Sequence, residues 1–173
     1  MRKITAYEIA LSALACAIAT ALLTAGLYID VLIFTAYIFA GIALMLPLAK
    51  RSYIGYFLAY LATSILALLF SSFRFWDILP FVVFFGLHPF INELQLKTKL
   101  NRWVWFAIKA LWFDGTLYLI WIIMLKTTTA VGGYEQFVLP AILVAGTAVF
   151  FLLDYMAFRC RMLVNALVKR IKK

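Results

Sequence analysis

Charged residues are scarce in this chain. Only 13% of its 173 residues are charged, 67% are hydrophobic, and the mean hydropathy is +1.04. Soluble domains are about half apolar and about a quarter charged, so this composition excludes a soluble globular protein. Apolar stretches long enough to cross a bilayer recur along the chain. They predict an all-α, polytopic membrane protein in contact with the lipid bilayer.

Residues that usually carry out catalysis are also few. The chain has one histidine and two cysteines, and it contains no HExxH, GxSxG or Walker-type motif. The absence of HExxH disfavours an intramembrane metalloprotease. Cys16 and Cys160 fall at different depths of the predicted helices and are interpreted as buried free thiols. We therefore expect no catalysis, no metal and no cofactor, and no residue stands out to support an intramembrane enzyme as a third class of function.

Six membrane-spanning helices are predicted from the apolar runs. Thr5 and Glu8 match a capping box at the start of the first helix. The spans cover approximately residues 6–27, 31–49, 53–70, 78–96, 102–125 and 136–162. They form one transmembrane domain, 1–173, whose basic tail, 163–173, is expected to continue the last helix along the membrane surface.

The net charge of +9 is distributed in short basic clusters between apolar runs. This pattern is typical of topology signals and does not predict nucleic acid as a partner. With six spans, 13 of the 16 Lys and Arg residues lie on one side of the membrane. They are Arg2, Lys3, Lys50, Arg51, Lys97, Lys99, Arg102, Arg159, Arg161, Lys169, Arg170, Lys172 and Lys173. Both termini are therefore predicted to be cytoplasmic, in a multi-pass protein of the plasma membrane.

Small residues form a ridge along the first helix. Ala13, Ala17 and Ala21 recur at four-residue spacing, which places them on one face. In lipid, such ridges let helix backbones approach closely and are typical helix–helix contact faces. The ridge is interpreted either as packing inside the monomer or as a docking face for another membrane subunit.

Ionisable residues inside a membrane are costly, so each needs a partner or a role. Counting about 1.5 Å per helical residue places His88, Glu93, Lys109 and Asp154 in one layer of the cytoplasmic half. This layer is either a salt-bridge cluster that locks helices four, five and six or a relay or coupling element. Asp114 is predicted near mid-membrane, where a structural bond and a ligand-binding role both stay open.

On the outer side, aromatic and charged residues are predicted to converge. The ligand candidates there are Asp30, Arg74, Asp77 and Tyr134. Aromatic residues at this level usually anchor a protein in the interface, whereas a pocket of aromatic residues and a few charges also suits a small solute.

The stretch FFGLHPFINEL, residues 84–94, interrupts the fourth span. Pro89 has no N–H to bond the carbonyl of Phe85, and Gly86 adds flexibility one turn earlier. We predict a kink with a polar face, in which Glu93 reaches towards Lys97 or Lys109.

Two resemblances accompany this pattern. Six short helices, both ends inside and the ridge Ala13-xxx-Ala17-xxx-Ala21 together resemble the substrate-binding S components of energy-coupling factor vitamin transporters. The stretch LPLAKRSYIGYFLAYLATSILALLF, residues 46–70, is similar to their second and third helices. This resemblance implies an S-component-like bundle, a small vitamin-like solute, and docking on a transmembrane coupling subunit with ATPases.

The second resemblance is to an uncharacterised family of six-helix membrane proteins from Gram-positive anaerobes. It rests on LPFVVFFGLHPFINELQLK, residues 79–97, and on AVFFLLDYMAFRC, residues 148–160. His88 departs from that pattern, which has an aromatic residue there.

Two hypotheses of function follow. The first is an S-component-like subunit that takes up a vitamin-like solute through Asp30, Arg74, Asp77, Tyr134 and Asp114. The alternative is a non-catalytic membrane scaffold, comparable in size and topology to the cell-shape protein MreD, with no small-molecule ligand.

Overall fold

The computed structural model describes residues 5–99, 101–126 and 140–171. Within these residues the backbone is predominantly helical and contains no strand. The helices are α1 (Ala6–Tyr28), α2 (Ile33–Ala43), α3 (Met45–Leu48), α4 (Tyr53–Phe70), α5 (Phe75–Pro80), α6 (His88–Lys97), α7 (Arg102–Lys126) and α8 (Thr147–Ile171). A 3-10 turn, Asp30–Leu32, precedes α2, and π-helical segments, Phe81–Phe85 and Ile142–Gly146, precede α6 and α8.

Among the described residues, five helical runs are long and apolar enough to cross a membrane. They are Ala6–Tyr28, Tyr53–Phe70, Phe75–Lys97, Arg102–Ile123 and Leu143–Arg170, and a sixth, Ile33–Leu48, is shorter. The chain is therefore an all-helical, multi-pass membrane protein. The predicted capping box at its first helix is confirmed, because the Thr5 hydroxyl accepts from the Glu8 N–H and the Glu8 carboxylate accepts from the Thr5 N–H.

The run Ile33–Leu48 is broken where α2 ends and α3 begins. Pro47 lies in α3 and has no N–H to donate to the carbonyl of Ala43, which weakens the helix at this point. Sixteen helical residues extend about 24 Å, whereas the hydrocarbon core of a bilayer is about 30 Å thick. The predicted second span, 31–49, therefore corresponds to the shortest run of the set.

The chain packs into two compact units. The first consists of Met1–Leu94 and Ala157–Lys173, and the second consists of Gln95–Met156. In the first unit, α1 packs against α2 and α4. The buried face of α1 includes Ala15, Ala19 and Leu23, none of which has exposed area.

The predicted basic tail forms the end of α8, which continues to Ile171. Within the first unit, Val164 and Val168 are buried in a cluster with Leu11 of α1 and Met45 of α3. One face of the tail helix is therefore covered by protein, because its valines lie one turn apart and point the same way.

Candidate functional site

The interrupted fourth span leaves three carbonyls without their usual helical donors. Pro89 has no N–H to offer the carbonyl of Phe85. The N–H of Gly86, which would reach Val82 in a regular helix, donates instead to Phe81 at 2.7 Å. The N–H of Phe90, which would donate to the Gly86 carbonyl in a regular helix, donates instead to the Leu87 carbonyl at 3.0 Å. In a membrane, carbonyls freed in this way need donors from elsewhere in the protein.

Two tyrosines of α4 supply donors for the kink. The Tyr60 hydroxyl donates to the carbonyl of Val82 at 2.7 Å, and the Tyr56 hydroxyl donates to the carbonyl of Gly86. The two tyrosines lie one turn apart on α4, and the two carbonyls are also four residues apart, so the spacings match. The kink is thus held to α4 by a pair of side chain–backbone hydrogen bonds.

The third carbonyl, that of Phe85, lies against the backbone of α2 at Gly41. A Cβ atom built on Gly41 would lie 2.8 Å from the Phe85 carbonyl oxygen, so only a glycine lets α2 approach the freed oxygen this closely. A Cβ on Gly86 would lie 2.6 Å from the ring of Tyr60. Both glycines therefore permit packing that any other residue would disturb.

The polar face of the kinked helix is buried in the first unit. His88 lies against the ring of Phe84, with centroids 5.2 Å apart. Glu93 forms an ion pair with Arg161 of α8, and the Tyr53 hydroxyl lies 3.5 Å from its carboxylate. The predicted partners of Glu93 were lysines, whereas the structure brings an arginine to it.

In the second unit, Lys109 and Asp154 form a buried ion pair. The Lys109 Nζ lies 2.5 Å from the Asp154 carboxylate, and the lysine has no exposed area. Removing one partner would leave an uncompensated charge in an apolar environment, which is far more costly than leaving the pair intact. This pair joins α7 to the first part of α8.

Asp114 of α7 also bonds to a residue of α8, Thr147. The Thr147 hydroxyl donates to its carboxylate at 2.9 Å, and Asp114 is 5% exposed. Thr147 begins α8 immediately after the π-helical segment that ends at Gly146. This hydrogen bond between two helices pairs one carboxylate oxygen of Asp114, whereas the other, Oδ1, is buried without a hydrogen-bond partner among the described residues.

The outer ligand candidates Arg74 and Asp77 are engaged with each other and with backbone. The Arg74 side chain donates to the carbonyl of Leu27 at 2.7 Å, and its Nε lies 2.5 Å from the Asp77 carboxylate. These contacts tie the end of α1 to the turn after α4. Asp30 begins the 3-10 turn, but its side chain and the whole of Tyr134 lie outside the described residues.

The alanine ridge of α1 is exposed and borders a groove. Ala13, Ala17 and Ala21 all face away from the packed side of the helix, and Ala25 continues the ridge. The groove has a volume of about 590 Å³ and an apolar lining on α1 and α4. It is lined by Ala17, Thr20, Ala21, Thr24, Ala25, Tyr28, Leu66 and Phe70, and it is called the α1 groove below.

Neither a metal centre nor a relative supports another site. The described residues contain no group of three or more His, Cys, Asp or Glu residues that could hold a metal ion. Comparison of the chain with protein-family models, with curated proteins and with solved structures finds no match. The two resemblances noted in the sequence stay predictions.

Three residues that hold the kinked fourth span in place were not identified from the sequence, and they are Arg161, Tyr56 and Tyr60. Arg161 was counted as a basic residue of the inner surface, yet it lies on the same helical stripe as the buried Val164 and Val168. That spacing was a usable signal. The tyrosines recur one turn apart in an apolar span, but nothing local to them indicates that their acceptors belong to a kink 22 to 30 residues later.

Proposed function

We propose that this protein is a non-catalytic membrane subunit that assembles with a transmembrane helix of a partner protein in the α1 groove. The observation that carries the proposal is the exposure of the ridge formed by Ala13, Ala17 and Ala21. The buried face of α1 uses a different set, Ala15, Ala19 and Leu23. A two-residue offset turns a helix by about 200°, so the ridge lies on the opposite side from the packed face.

The groove has the chemistry that helix association in lipid requires. Because lipid tails are as apolar as the helices, association there depends on close packing and on hydrogen bonds between helices. The alanines allow a close backbone approach, and Leu66 and Phe70 of α4 form the second wall. The Thr24 hydroxyl is buried at this surface with no hydrogen-bond partner among the described residues.

The two hypotheses from the sequence share this docking face and differ over a solute. Arg74 and Asp77, the described outer candidates, already hold α1 to the turn after α4. Asp114 is bonded to Thr147. These contacts favour the assembly role and assign no solute to the protein. A coupling subunit that works with ATPases would be one partner of the required kind.

Site-specific photocrosslinking in the native membrane tests the proposal. A photoreactive residue at Ala21 is expected to give a crosslinked band containing a second, different protein. The same residue at Ala148, an exposed alanine of the second unit, is the matched control and is expected to give none. Ala17→Leu, which fills the groove, should abolish the Ala21 crosslink, whereas Ala148→Leu should leave it intact.

Two results would overturn the proposal. A crosslinked band of twice 19.7 kDa would identify a second copy of this chain as the occupant. Crosslinking to lipid alone would assign the groove to acyl chains. A small molecule that copurifies stoichiometrically and is lost on Arg74→Ala would instead favour the solute-binding hypothesis.

A further inference from the structure

Two basic pairs are brought to one end of the first unit. Ala49 packs against the apolar cluster that contains Val168. Lys50 and Arg51 follow Ala49 in the chain, and Lys169 and Arg170 follow Val168. The two pairs are 119 positions apart in sequence (169 − 50), yet this cluster holds the segments that carry them together.

The charges at this end have no acidic counterpart in the sequence around them. No Asp or Glu occurs in residues 31–76 or in residues 155–173. The acid on the facing turn of α1, Glu8, is buried and bonded to the Thr5 N–H within the capping box. An uncompensated basic surface attracts anionic groups.

One of these four basic side chains packs on an aromatic ring, and the other three are exposed. The Lys50 ammonium lies 5.7 Å from the centroid of the Tyr7 ring, a cation–π distance. Arg51 has a φ of 56° and is exposed, so the turn after α3 projects it outwards. Lys169 and Arg170 are exposed on the last turns of α8.

An exposed apolar stripe on α8 leads to these charges. Met162, Leu163 and Leu167 lie on the face of the helix that does not carry the buried valines, and each is more than half exposed. On a helix long enough to cross a membrane, an exposed apolar stripe that ends in basic residues marks the level at which the helix leaves the hydrocarbon core. Its long basic side chains extend towards headgroups while its apolar side chains contact acyl chains.

We propose that this end of the first unit binds the headgroups of anionic phospholipids through Lys50, Arg51, Lys169 and Arg170. A phospholipid satisfies both parts of the surface, because its phosphate pairs with the basic residues and its acyl chains cover the apolar stripe. A free phosphate would satisfy only the charges. The site is separate from the α1 groove, so it does not depend on the proposed function.

Lipid titration of the purified full-length protein in a mild neutral detergent tests the proposal. Native mass spectrometry would count bound phosphatidylglycerol and phosphatidylcholine at equal concentrations. We expect clear retention of phosphatidylglycerol and little retention of phosphatidylcholine. Each basic residue near an anionic surface contributes a roughly fivefold gain in binding. Lys169→Gln/Arg170→Gln should therefore weaken phosphatidylglycerol binding by about 25-fold.

The matched control is Lys97→Gln/Lys99→Gln, which removes the same charge from exposed positions of the second unit. It should retain phosphatidylglycerol like the unmodified protein. Arg51→Gln is a second variant at the proposed surface and should weaken binding by a smaller factor. Equal losses in both double variants, no preference for phosphatidylglycerol, or full displacement of the lipid by millimolar inorganic phosphate would each overturn the proposal. Unchanged elution on size exclusion confirms that each variant is folded.

Discussion

Removing the tyrosine hydroxyls that hold the kink should destabilise the protein. In Tyr56→Phe a buried carbonyl of the fourth span, and in Tyr60→Phe a part-buried one, loses the donor that replaces its missing helical bond. Leaving a buried acceptor unpaired costs about 1–3 kcal/mol, and hydrogen bonds measured between membrane helices average about 0.6 kcal/mol with a maximum near 1.7. We expect a loss of about 1–2 kcal/mol for each variant. The larger loss should come from Tyr56, which has no exposed area.

The measurement is the free energy of unfolding in bicelles, obtained by steric trapping or by denaturant titration with tryptophan fluorescence. Tyr28→Phe is the matched control, because its hydroxyl also donates to a backbone carbonyl, that of Phe70, at 2.9 Å. That bond is exposed, so water can replace the lost donor, and the loss should stay below about 0.5 kcal/mol. If both kink variants lose no more than Tyr28→Phe, the carbonyls have other donors and the reasoning fails.

The same contact can be perturbed from the other side. A methyl group at Gly86 would meet the Tyr60 ring at 2.6 Å, so Gly86→Ala should cost about 1–3 kcal/mol through overpacking. Gly115→Ala is the matched control in α7, since its new methyl group meets nothing within 4 Å. Alanine is the better helix former by about 0.5–1 kcal/mol, so this control should be neutral or stabilising. Two losses of equal size would mean that the Tyr60 contact does not govern the Gly86 position.

Two further predictions concern the buried ion pair and the topology. Lys109→Met and Asp154→Leu should each lower the free energy of unfolding by about 3 kcal/mol or more in the same assay, because each leaves a buried charge unpaired. The loss in the double variant should be clearly smaller than the sum of the two single losses. Strict additivity would show that the two side chains do not interact. The topology is tested with single cysteines at Val31 and Arg51, in a background without the two native cysteines. Membrane-impermeant maleimide should label these two positions from opposite sides of the membrane. Labelling of both from one side would show that Ile33–Leu48 does not cross.

The sequence was informative where the deciding interactions are local. The capping box of Thr5 and Glu8 needs only a three-residue spacing, and the break at Pro89 follows from a missing N–H. The predicted bounds of the third and fifth spans, 53–70 and 102–125, lie within one residue of α4 and α7. Apolar runs and caps define these ends without reference to the rest of the protein.

Long-range partners were not predictable in the same way. The donors to the kink come from Tyr56 and Tyr60, and the partner of Glu93 is Arg161, 68 residues later. The position of a residue along a helix gives the depth of its side chain in the membrane but not the face of the helix on which it lies. Several basic residues at one depth are therefore equal candidates for the partner of Glu93. Only the packing of α8 against α1 and α3, through its buried valines, decides that Arg161 reaches Glu93.

The order in which the helices of the first unit pack along one another indicates how many times the chain crosses the membrane. Gly26, near the end of α1, packs against Ala36 at the start of α2, while Leu11, near the beginning of α1, shares a cluster with Met45 of α3. The broken run Ile33–Leu48 therefore returns along α1 to the end where that helix begins.

The next helix repeats the path of α1 in the same direction. At the far end of α4, Arg74 bonds to the carbonyl of Leu27, which closes α1, and Tyr28 bonds to Phe70. Since α1 and α4 both cross by length, a run that connects the end of one to the start of the other has to cover the same depth. Its deficit of about 6 Å against the hydrocarbon core is within what local thinning and extended basic side chains accommodate, and Lys50 and Arg51 stand at its end. We therefore expect six traverses, with the second one short.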